Sequence, residues 1–216
     1  MSVSNLLFPA RCIACGAHVS EQQHGICADC HRAVRAEMQC RHLPPKYVDA
    51  FVCAGSYTGG LGRAVRSLKF YPQQFNINPL ALLMLEAWDM HRMPQPTLVT
   101  CVPISAARAH LRGFNQSAAL AQYIAAAWNV PFAHTLKRHL LSRRQSKLHA
   151  QERWSNAKKA YYARDDVDLT GETVVLVDDV VTTGATASTC AMLLRDMGAQ
   201  TVLLLSATRT GARKIH

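Results

Sequence analysis

The residue types best suited to chemistry in this chain are concentrated in one stretch, 174–186. It opens with four aliphatic residues, 174–177, which predict a strand buried on both faces, as in a parallel sheet. Asp178 and Asp179 follow just past the expected end of that strand, where open α/β sheets bind their ligands. Carboxylate oxygens accept hydrogen bonds, so the acidic pair is suited to the paired hydroxyls of a ribose.

The loop that follows the acids is suited to a phosphate group. It leads into a helix expected over 187–197, and a helix start offers unpaired N–H groups and the positive end of a dipole. A glycine would let the backbone approach the anion, and threonine hydroxyls add donors. The candidate phosphate-binding residues are Thr182, Thr183, Gly184, Ala185 and Thr186. The alternative is an ordinary buried strand followed by an Asp-capped helix.

The composition indicates a globular protein with polyanionic partners. The 216 residues are 49% apolar and 18% charged, which excludes a disordered chain. The net charge is +10 with histidine neutral. Such a charge favours nucleic acid, a phosphorylated ligand or an anionic membrane surface as partner. The alternative is that the basic balance only aids solubility.

The cellular location is inferred from what the sequence lacks. No run is long and apolar enough to span a bilayer, and residues 1–8 lack the basic region and apolar core of a signal peptide. We therefore expect a cytoplasmic protein. The eight cysteines are then expected to be metal ligands or buried thiols rather than disulfides.

Two CxxC pairs near the start have the spacing of a zinc site. Cys12 and Cys15 form the first pair, Cys27 and Cys30 the second, and two short knuckles could bring all four thiolates to one tetrahedral Zn²⁺. A four-cysteine site is closed, so we expect a structural and not a catalytic zinc. A redox CxxC or two disulfides are the alternatives. Cys40 stands alone and has no assigned role.

The rest of the chain is predicted to form an α/β domain. We divide it into a zinc-binding ribbon and linker, 1–45, and a domain over 46–216, because Leu43-Pro44-Pro45 has the composition of a linker. Strands are expected over 49–57, 98–102 and 201–206, and 130–132 is a candidate short strand. Helices are expected over 61–70, 78–93 and 116–128.

Three basic residues outside the central stretch are candidate ligands of a phosphorylated molecule. Lys69 ends a basic helical stripe, and the alternative for it is a solvated surface. Arg108 and Arg112 could clamp a pyrophosphate through charge-assisted bonds. The alternative for the arginines is a solvated loop ahead of a helix that Asn115 caps.

Residues 137–164 form a basic block with nine Lys or Arg against one acid, Glu152. Little apolar periodicity is present over 143–153, which predicts a loop. Basic and aromatic side chains together can follow the backbone of single-stranded DNA and stack on its bases. The candidate nucleic-acid-binding residues are Arg143, Arg144, Lys147 and Trp154, with Tyr161 and Tyr162 also able to stack. Closure over a small polyanion and a solvated basic surface are the alternatives.

Together these motifs resemble the ComF/GntX family over essentially the full chain, and the loop at 178–186 resembles the phosphoribosyl-pyrophosphate (PRPP) loop of type I phosphoribosyltransferases. The chain carries only Cys40 where the family usually has a further cysteine pair. The resemblance rests on the two CxxC pairs, Leu68-Lys69, Arg112-Gly113-Phe114-Asn115-Gln116, Arg138, Gln145, Arg153, Asn156 and the loop from Asp178 to Thr186.

The resemblance implies a fold, a site and a biological setting. The fold would be a type I phosphoribosyltransferase-like parallel sheet flanked by helices, with a zinc ribbon in front. Asp178 and Asp179 would hold the ribose hydroxyls, directly or through Mg²⁺, and Thr182–Thr186 would hold the 5′-phosphate. The family is associated with competence and with the use of extracellular DNA as a nutrient.

Two classes of function follow from this resemblance. In the first, the chain is a binding module in DNA utilisation that handles single strands and binds PRPP or a nucleoside monophosphate. In the second, it is an active phosphoribosyltransferase, with Asp178, Asp179 and Arg112 in its catalytic site. Mg²⁺ and the arginines would then stabilise the leaving pyrophosphate. A nucleobase pocket would discriminate them, and the sequence reveals none.

Overall fold

A parallel sheet with helices on both faces organises the chain in this computed structural model, which describes residues 10–68, 77–104, 113–139 and 160–211. Among these residues the elements are α1 (Ala28–Met38), β1 (Ala50–Ser56), α2 (Gly60–Ser67), α3 (Ile77–Met90), β2 (Leu98–Cys101), α4 (Gln116–Trp128), β3 (Leu136–Arg138), β4 (Tyr161–Ala163), β5 (Thr173–Val181), α5 (Ala185–Asp196) and β6 (Thr201–Arg209). A short 3-10 turn spans Glu21–Gln23.

The sheet has four parallel strands in the order β1–β6–β5–β2. Its middle strands carry the longest apolar runs, and residues 174–177 and 202–205 are buried. Runs of this kind suit strands that are covered on both faces, because no side of the strand meets water. The predicted parallel sheet flanked by helices is therefore confirmed.

Each face of the sheet has its own core. On one face Val175, Val177, Leu203 and Leu205 pack with residues of α3, α4 and the N-terminal ribbon. On the other face Val174, Leu176, Val202 and Leu204 pack with α5 and with the hairpin of β3 and β4. Successive side chains of a strand point to opposite faces, which explains the alternation.

Strand β5 is longer than the sequence predicted. Its pairing with β6 continues past Val177 to the pair Val181–Arg209, so Asp178 and Asp179 lie within the strand rather than beyond its end. Asp178 pairs with Ser206 of β6, and the Asp179 carbonyl accepts a 3.2 Å bond from Thr208 Oγ1. These contacts with β6 outweigh the poor strand propensity of aspartate. The carboxylates are therefore fixed by the sheet and not by a loop.

Asn115 is the N-cap residue, as predicted, but its side chain has a different role. Asn115 occupies the N-cap position of α4, but its side chain makes no cap bond. Its Nδ2 instead donates to the carbonyl of Val102 at 3.2 Å, which ties the start of α4 to the end of β2.

Strands β3 and β4, which the sequence analysis missed, pair antiparallel at the two ends of the basic block. Phe132 makes a parallel bridge to Val99, as the apolar run there suggested.

The N-terminal ribbon packs directly on the sheet domain. Ile26, Val34 and Met38 belong to the same core as α3 and α4. His31 of α1 contacts the carboxylate of Glu86 on α3 at 2.7 Å. No helix within the described ranges is long and apolar enough to cross a membrane.

Candidate functional site

The acidic pair on β5 is held by a hydroxyl from a neighbouring helix. Ser117 of α4 donates through Oγ to Asp178 Oδ1 at 3.1 Å. The backbone N–H of Asp179 lies 2.9 Å from the same carboxylate oxygen and 3.3 Å from Ser117 Oγ. Asp178 is buried, 7% exposed, whereas Asp179 is half-buried. The pair therefore presents one enclosed and one accessible carboxylate.

The environment of Asp178 opposes its negative charge. Burial, together with the nearby charge of Asp179, raises the pKa of the Asp178 carboxyl well above its usual value, although the hydrogen bond from Ser117 acts in the opposite direction. Two adjacent carboxylates in this setting repel each other unless a cation or a ligand contacts them. Such an arrangement is typical of a site that a ligand completes.

The loop after β5 turns through a left-handed glycine directly into a helix start. Thr182 and Thr183 are exposed, and Gly184 adopts the left-handed conformation, with φ 78°, immediately before α5. The helix begins at Ala185, two residues earlier than predicted, and its first turn closes with a 2.8 Å bond from the Ser188 N–H to the Gly184 carbonyl. A cavity of about 40 Å³ lies here, lined by Asp178, Val180, Val181, Thr182, Gly184, Thr186 and Ala187.

The linker from the ribbon lies on this loop. A Cβ atom placed on Gly184 would lie 3.0 Å from Cγ and 3.1 Å from Cβ of Pro45. Both the positive φ and the contact with Pro45 therefore disfavour any larger residue at position 184. The sequence predicted a role for Gly184 toward an anion, but it could not show that the linker also needs this glycine.

Asp178 and Asp179 fit a magnesium ion that arrives with a phosphorylated ligand. Mg²⁺ prefers oxygen ligands and is usually held by one or two carboxylates together with the ligand's phosphates. The acidic pair supplies such oxygens beside the small cavity at the loop after β5. These two residues would hold the ion.

The four ribbon cysteines converge as predicted. The sulfurs of Cys12, Cys15, Cys27 and Cys30 all lie within 4.8 Å of one another, and the Sγ atoms of Cys15 and Cys27 are 3.8 Å apart. Four sulfurs at bonds of about 2.3 Å around one Zn²⁺ would be separated by about 3.8 Å. The cysteine set therefore fits a structural zinc, and the described cysteines are free thiols rather than disulfides.

The backbone of the ribbon favours thiolate at one of these positions. Burial opposes ionisation of Cys12, but hydrogen bonds from the backbone of Cys27, Cys15 and Ala14 lower its pKa to about 6.

Helix α2 also holds the ribbon in place. The guanidinium of Arg63 on α2 donates to the Ala14 carbonyl at 2.7 and 3.1 Å. The basic stripe on α2 is thus partly structural.

Several predicted site residues lie outside the described residues. These are Lys69, Arg108, Arg112, Arg143, Arg144, Lys147 and Trp154.

Two tyrosines at the end of the basic block are described. Tyr161 is buried and cannot stack on a base, because the Arg138 guanidinium lies over its ring, with Cζ 5.1 Å from the ring centre. Tyr162 is exposed and its ring lies 4.4 Å from that of His139. Of the two tyrosines, only Tyr162 has a ring exposed enough to stack on a base.

Comparison with known proteins places the chain among relatives of similar length. A family model for the double zinc ribbon domain matches residues 3–54. DNA utilization protein YhgH of Salmonella typhi is 32% identical over 95% of this chain and 99% of its own. Competence protein F of Haemophilus influenzae is 27% identical over 90% of this chain and 95% of its own.

A solved adenine phosphoribosyltransferase from Thermoanaerobacter pseudethanolicus is 12% identical, with a TM-score of 0.42 over 82% of this chain and 99% of its own. The predicted parallel sheet flanked by helices, with a zinc ribbon in front, is confirmed. Given the identity to its full-length relatives, the chain belongs to the ComF/GntX family of competence and DNA-utilisation proteins.

Proposed function

We propose that this protein acts in the use of extracellular DNA and binds PRPP or a nucleoside monophosphate at the carboxyl end of β5. The observation that carries the proposal is the acidic pair on β5 set directly before the loop of Gly184 and the start of α5. Carboxylates suited to a ribose and a helix start suited to a phosphate are thus adjacent along the chain and line one small cavity. The names of the full-length relatives support the biological setting.

Each part of the site has a role in this proposal. Asp179, the more accessible carboxylate, accepts from a ribose hydroxyl, and Asp178 is positioned by Ser117 to accept from the second. Thr182–Thr186 bind the 5′-phosphate through hydroxyl and backbone donors. Mg²⁺, when bound with PRPP, would neutralise charge on the pyrophosphate. Lys69, Arg108 and Arg112 are proposed to contact the same phosphates.

We further propose that the basic block binds single-stranded DNA. The nine basic residues over 137–164 supply phosphate contacts, with Arg143, Arg144 and Lys147 as the candidates. Trp154 and the exposed ring of Tyr162 supply stacking surfaces. Paired strands β3 and β4 join the two ends of the block, which keeps its entry and exit adjacent on the domain.

The second candidate function is an active phosphoribosyltransferase that moves ribose 5-phosphate from PRPP to a nucleobase or related acceptor. A cavity at the carboxyl ends of β1 and β6, on the same edge of the sheet as the phosphate loop, favours it, because an acceptor needs its own site. In this function the site would mainly position the reactants and stabilise the leaving pyrophosphate.

Calorimetric titration of the purified protein tests the first proposal. PRPP in the presence of Mg²⁺ should give saturable binding to one site. The absence of binding by PRPP and by every nucleoside monophosphate tried would contradict it. Incubation with PRPP, Mg²⁺ and a panel of nucleobases tests the second candidate, since transfer releases pyrophosphate stoichiometrically with the new nucleotide.

A further inference from the structure

The linker segment, residues 43–49, follows one side of helix α5. Pro45 contacts Gly184 directly before α5 begins, since a Cβ atom on Gly184 would lie 3.0 Å from Pro45 Cγ. Further along the linker, the Asp49 carboxylate accepts from the guanidinium of Arg195 in the last turn of α5. The linker therefore passes along the helix from its start to its end. Tyr47 lies between these two contacts and does not line the small cavity at the loop after β5.

Tyr47 has a backbone conformation that residues other than glycine rarely adopt. Its φ is 67°, in the left-handed region, and it lies in a turn closed by a 3.2 Å bond from the Val48 N–H to the Pro45 carbonyl. A bulky residue in this region is strained. Its ring belongs to neither core of the domain, and the residue is 38% exposed. Such strain is typical of residues that contact a ligand.

A cation accompanies the exposed ring of Tyr47. The Lys46 ammonium lies 4.8 Å from the ring centre, within the range of a cation–π contact, and Lys46 is also exposed. An aromatic ring offers a stacking surface to any base, and an ammonium group beside it can contact the adjoining phosphate. The turn therefore carries the two kinds of group with which proteins hold single-stranded nucleic acid.

The hairpin of β3 and β4 lies on the opposite side of α5 from the linker. The hairpin packs against α5, and Thr135, just before β3, bonds to Thr100 of β2 at 2.8 Å through the two hydroxyls. The linker leads instead into β1, and β1 and β2 are the two edges of the sheet. Val48 of the linker and Tyr161 of the hairpin are buried in the same core. Linker and hairpin therefore flank α5 on one face of the sheet.

The hairpin presents a second aromatic and basic surface. The ring centre of Tyr162 lies 4.4 Å from that of His139, and Lys137 pairs in register with Tyr162. All three residues are exposed. Among the described residues three large apolar side chains are exposed, and the two aromatic ones are Tyr47 and Tyr162. These two rings thus lie on the same face of the domain, one on each side of α5.

We propose that single-stranded nucleic acid crosses the α5 face of the sheet and is held at its far side by Lys46 and Tyr47. Tyr47 stacks on a base, and Lys46 contacts a phosphate. The inference rests on the proposed DNA role of the basic block and extends that surface from the hairpin to the linker. The net charge of +10 complements such a partner, and Asp49, the acid nearest to the turn in sequence, is already paired with Arg195.

Replacement of Tyr47 by glycine separates this role from a structural one. Glycine adopts a φ of this sign without strain, so Tyr47→Gly should keep the thermal stability of the wild type. Its affinity for a fluorescent dT oligonucleotide should fall about 5- to 100-fold, the effect of losing one stacked base. Tyr47→Asn, which also tolerates this conformation, should behave in the same way. Leu43→Ala, which removes an exposed apolar side chain from the same linker, should bind like wild type.

The salt dependence of binding distinguishes the two residues of the turn. Lys46→Met should lower the slope of log affinity against log salt by about 0.7, the contribution of one phosphate contact. Tyr47→Gly should leave this slope unchanged, because stacking releases no counterions. Arg92→Met is the control for charge, since Arg92 is exposed just after α3, which packs on the other face of the sheet. Its slope should equal that of the wild type.

Fluorescence anisotropy of the full-length protein decides between the outcomes. Wild-type affinity and slope in both Tyr47→Gly and Lys46→Met would overturn the inference. The DNA role of the basic block would still stand if replacing Arg143, Arg144 and Lys147 by Ala weakened binding. Failure of the wild type to bind the oligonucleotide would refute both.

Calorimetry with PRPP and Mg²⁺ is performed on Tyr47→Gly in parallel, because the neighbouring Pro45 contacts Gly184. Weaker DNA binding with unchanged PRPP affinity supports a direct contact at the turn. A parallel loss of PRPP affinity would show that the turn acts only through the loop after β5, and would contradict the proposal.

Discussion

Ser117 Oγ lies 3.1 Å from Asp178 Oδ1, and this bond joins the start of α4 to the acidic pair on β5. The same hydroxyl lies 3.3 Å from the backbone N–H of Asp179, so one side chain contacts both members of the pair. Ser117 follows the Asn115-Gln116 motif along the chain, and Asn115 is itself bonded to the end of β2. The hydroxyl thus positions the Asp178 carboxylate and the Asp179 backbone from the start of α4.

Ser117→Ala should weaken PRPP binding several-fold, because Asp178 loses the donor that orients it. The lost hydrogen bond should also cost about 1 kcal/mol of the free energy of unfolding. Ser206→Ala is the matched control, since Ser206 is equally buried but donates to the Thr208 carbonyl instead of a carboxylate. Calorimetry and denaturant unfolding measure the two effects. An equal loss of PRPP affinity in both variants would mean that Ser117 has only a structural role.

Asp178→Asn should make the ligand-free protein more stable at neutral pH. The folded-state pKa of Asp178 is raised above its usual 3.8, so the stability associated with the protonated carboxyl is present below that value and lost as the pH rises through the raised pKa. The wild type should therefore lose stability across this window, and the asparagine variant should lose less. For a chain of this size 1 kcal/mol shifts Tm by about 2–4 °C.

Thermal unfolding in Mg²⁺-free buffer, at several pH values from about 4 to 8, measures this difference. Asp165→Asn serves as the control, because Asp165 is exposed and far from the acidic pair in sequence. Identical pH profiles for wild type and Asp178→Asn would show that burial of the carboxyl does not destabilise the fold.

Cys27→Ser should remove the zinc and lower the stability of the whole chain. The four sulfurs fit one ion, and residues of the ribbon share a core with α3 and α4, so loss of the metal should not stay local. Elemental analysis should give one zinc per wild-type chain and far less in the variant. Cys40→Ser, outside the cluster, should keep its zinc. A wild type that is folded but free of metal would contradict the assignment.

Changing Arg143, Arg144 and Lys147 together to Ala should flatten the salt dependence of single-stranded DNA binding. Each phosphate contact contributes about 0.7 to the slope of log affinity against log salt, so three lost contacts should reduce it by about 2. Trp154→Ala should lower affinity with little change in slope, because stacking releases no counterions. The charge-matched control replaces the exposed Arg32, Arg41 and Arg92.

Fluorescence anisotropy at several salt concentrations measures these slopes. If the block only closes over PRPP, the triple variant would lose PRPP affinity while its DNA titration matched wild type at every salt. That result would refute the DNA role.

The sequence predicted those parts of the protein that depend on local pattern. The apolar run 174–177 indicated a fully buried parallel strand, and the CxxC spacing indicated the cysteine cluster. Both signals are contained in a few neighbouring residues, so no knowledge of the packing was needed.

Contacts between distant residues could not be predicted in this way. Ser117 contacts Asp178 across 61 positions of the sequence, and Pro45 contacts Gly184 only because the linker crosses the loop after β5. The length of β5 depends on pairing with β6, which aspartate at 178 and 179 does not suggest. Arg209 and His42 carry no motif, and the cavity they line arises from the docking of the ribbon on the sheet.

The central claim is that the acidic pair and the loop after it form a PRPP or nucleotide site. Replacement of both Asp178 and Asp179 by Ala tests it most directly, with Asp165→Ala/Asp196→Ala as the control, because the control removes the same charge from exposed positions. Zinc content and far-UV circular dichroism establish that both double variants are folded. Calorimetric titration with PRPP and Mg²⁺ should show wild-type affinity in the control and sharply weakened binding in Asp178→Ala/Asp179→Ala. Equal affinity in all three proteins would contradict the account.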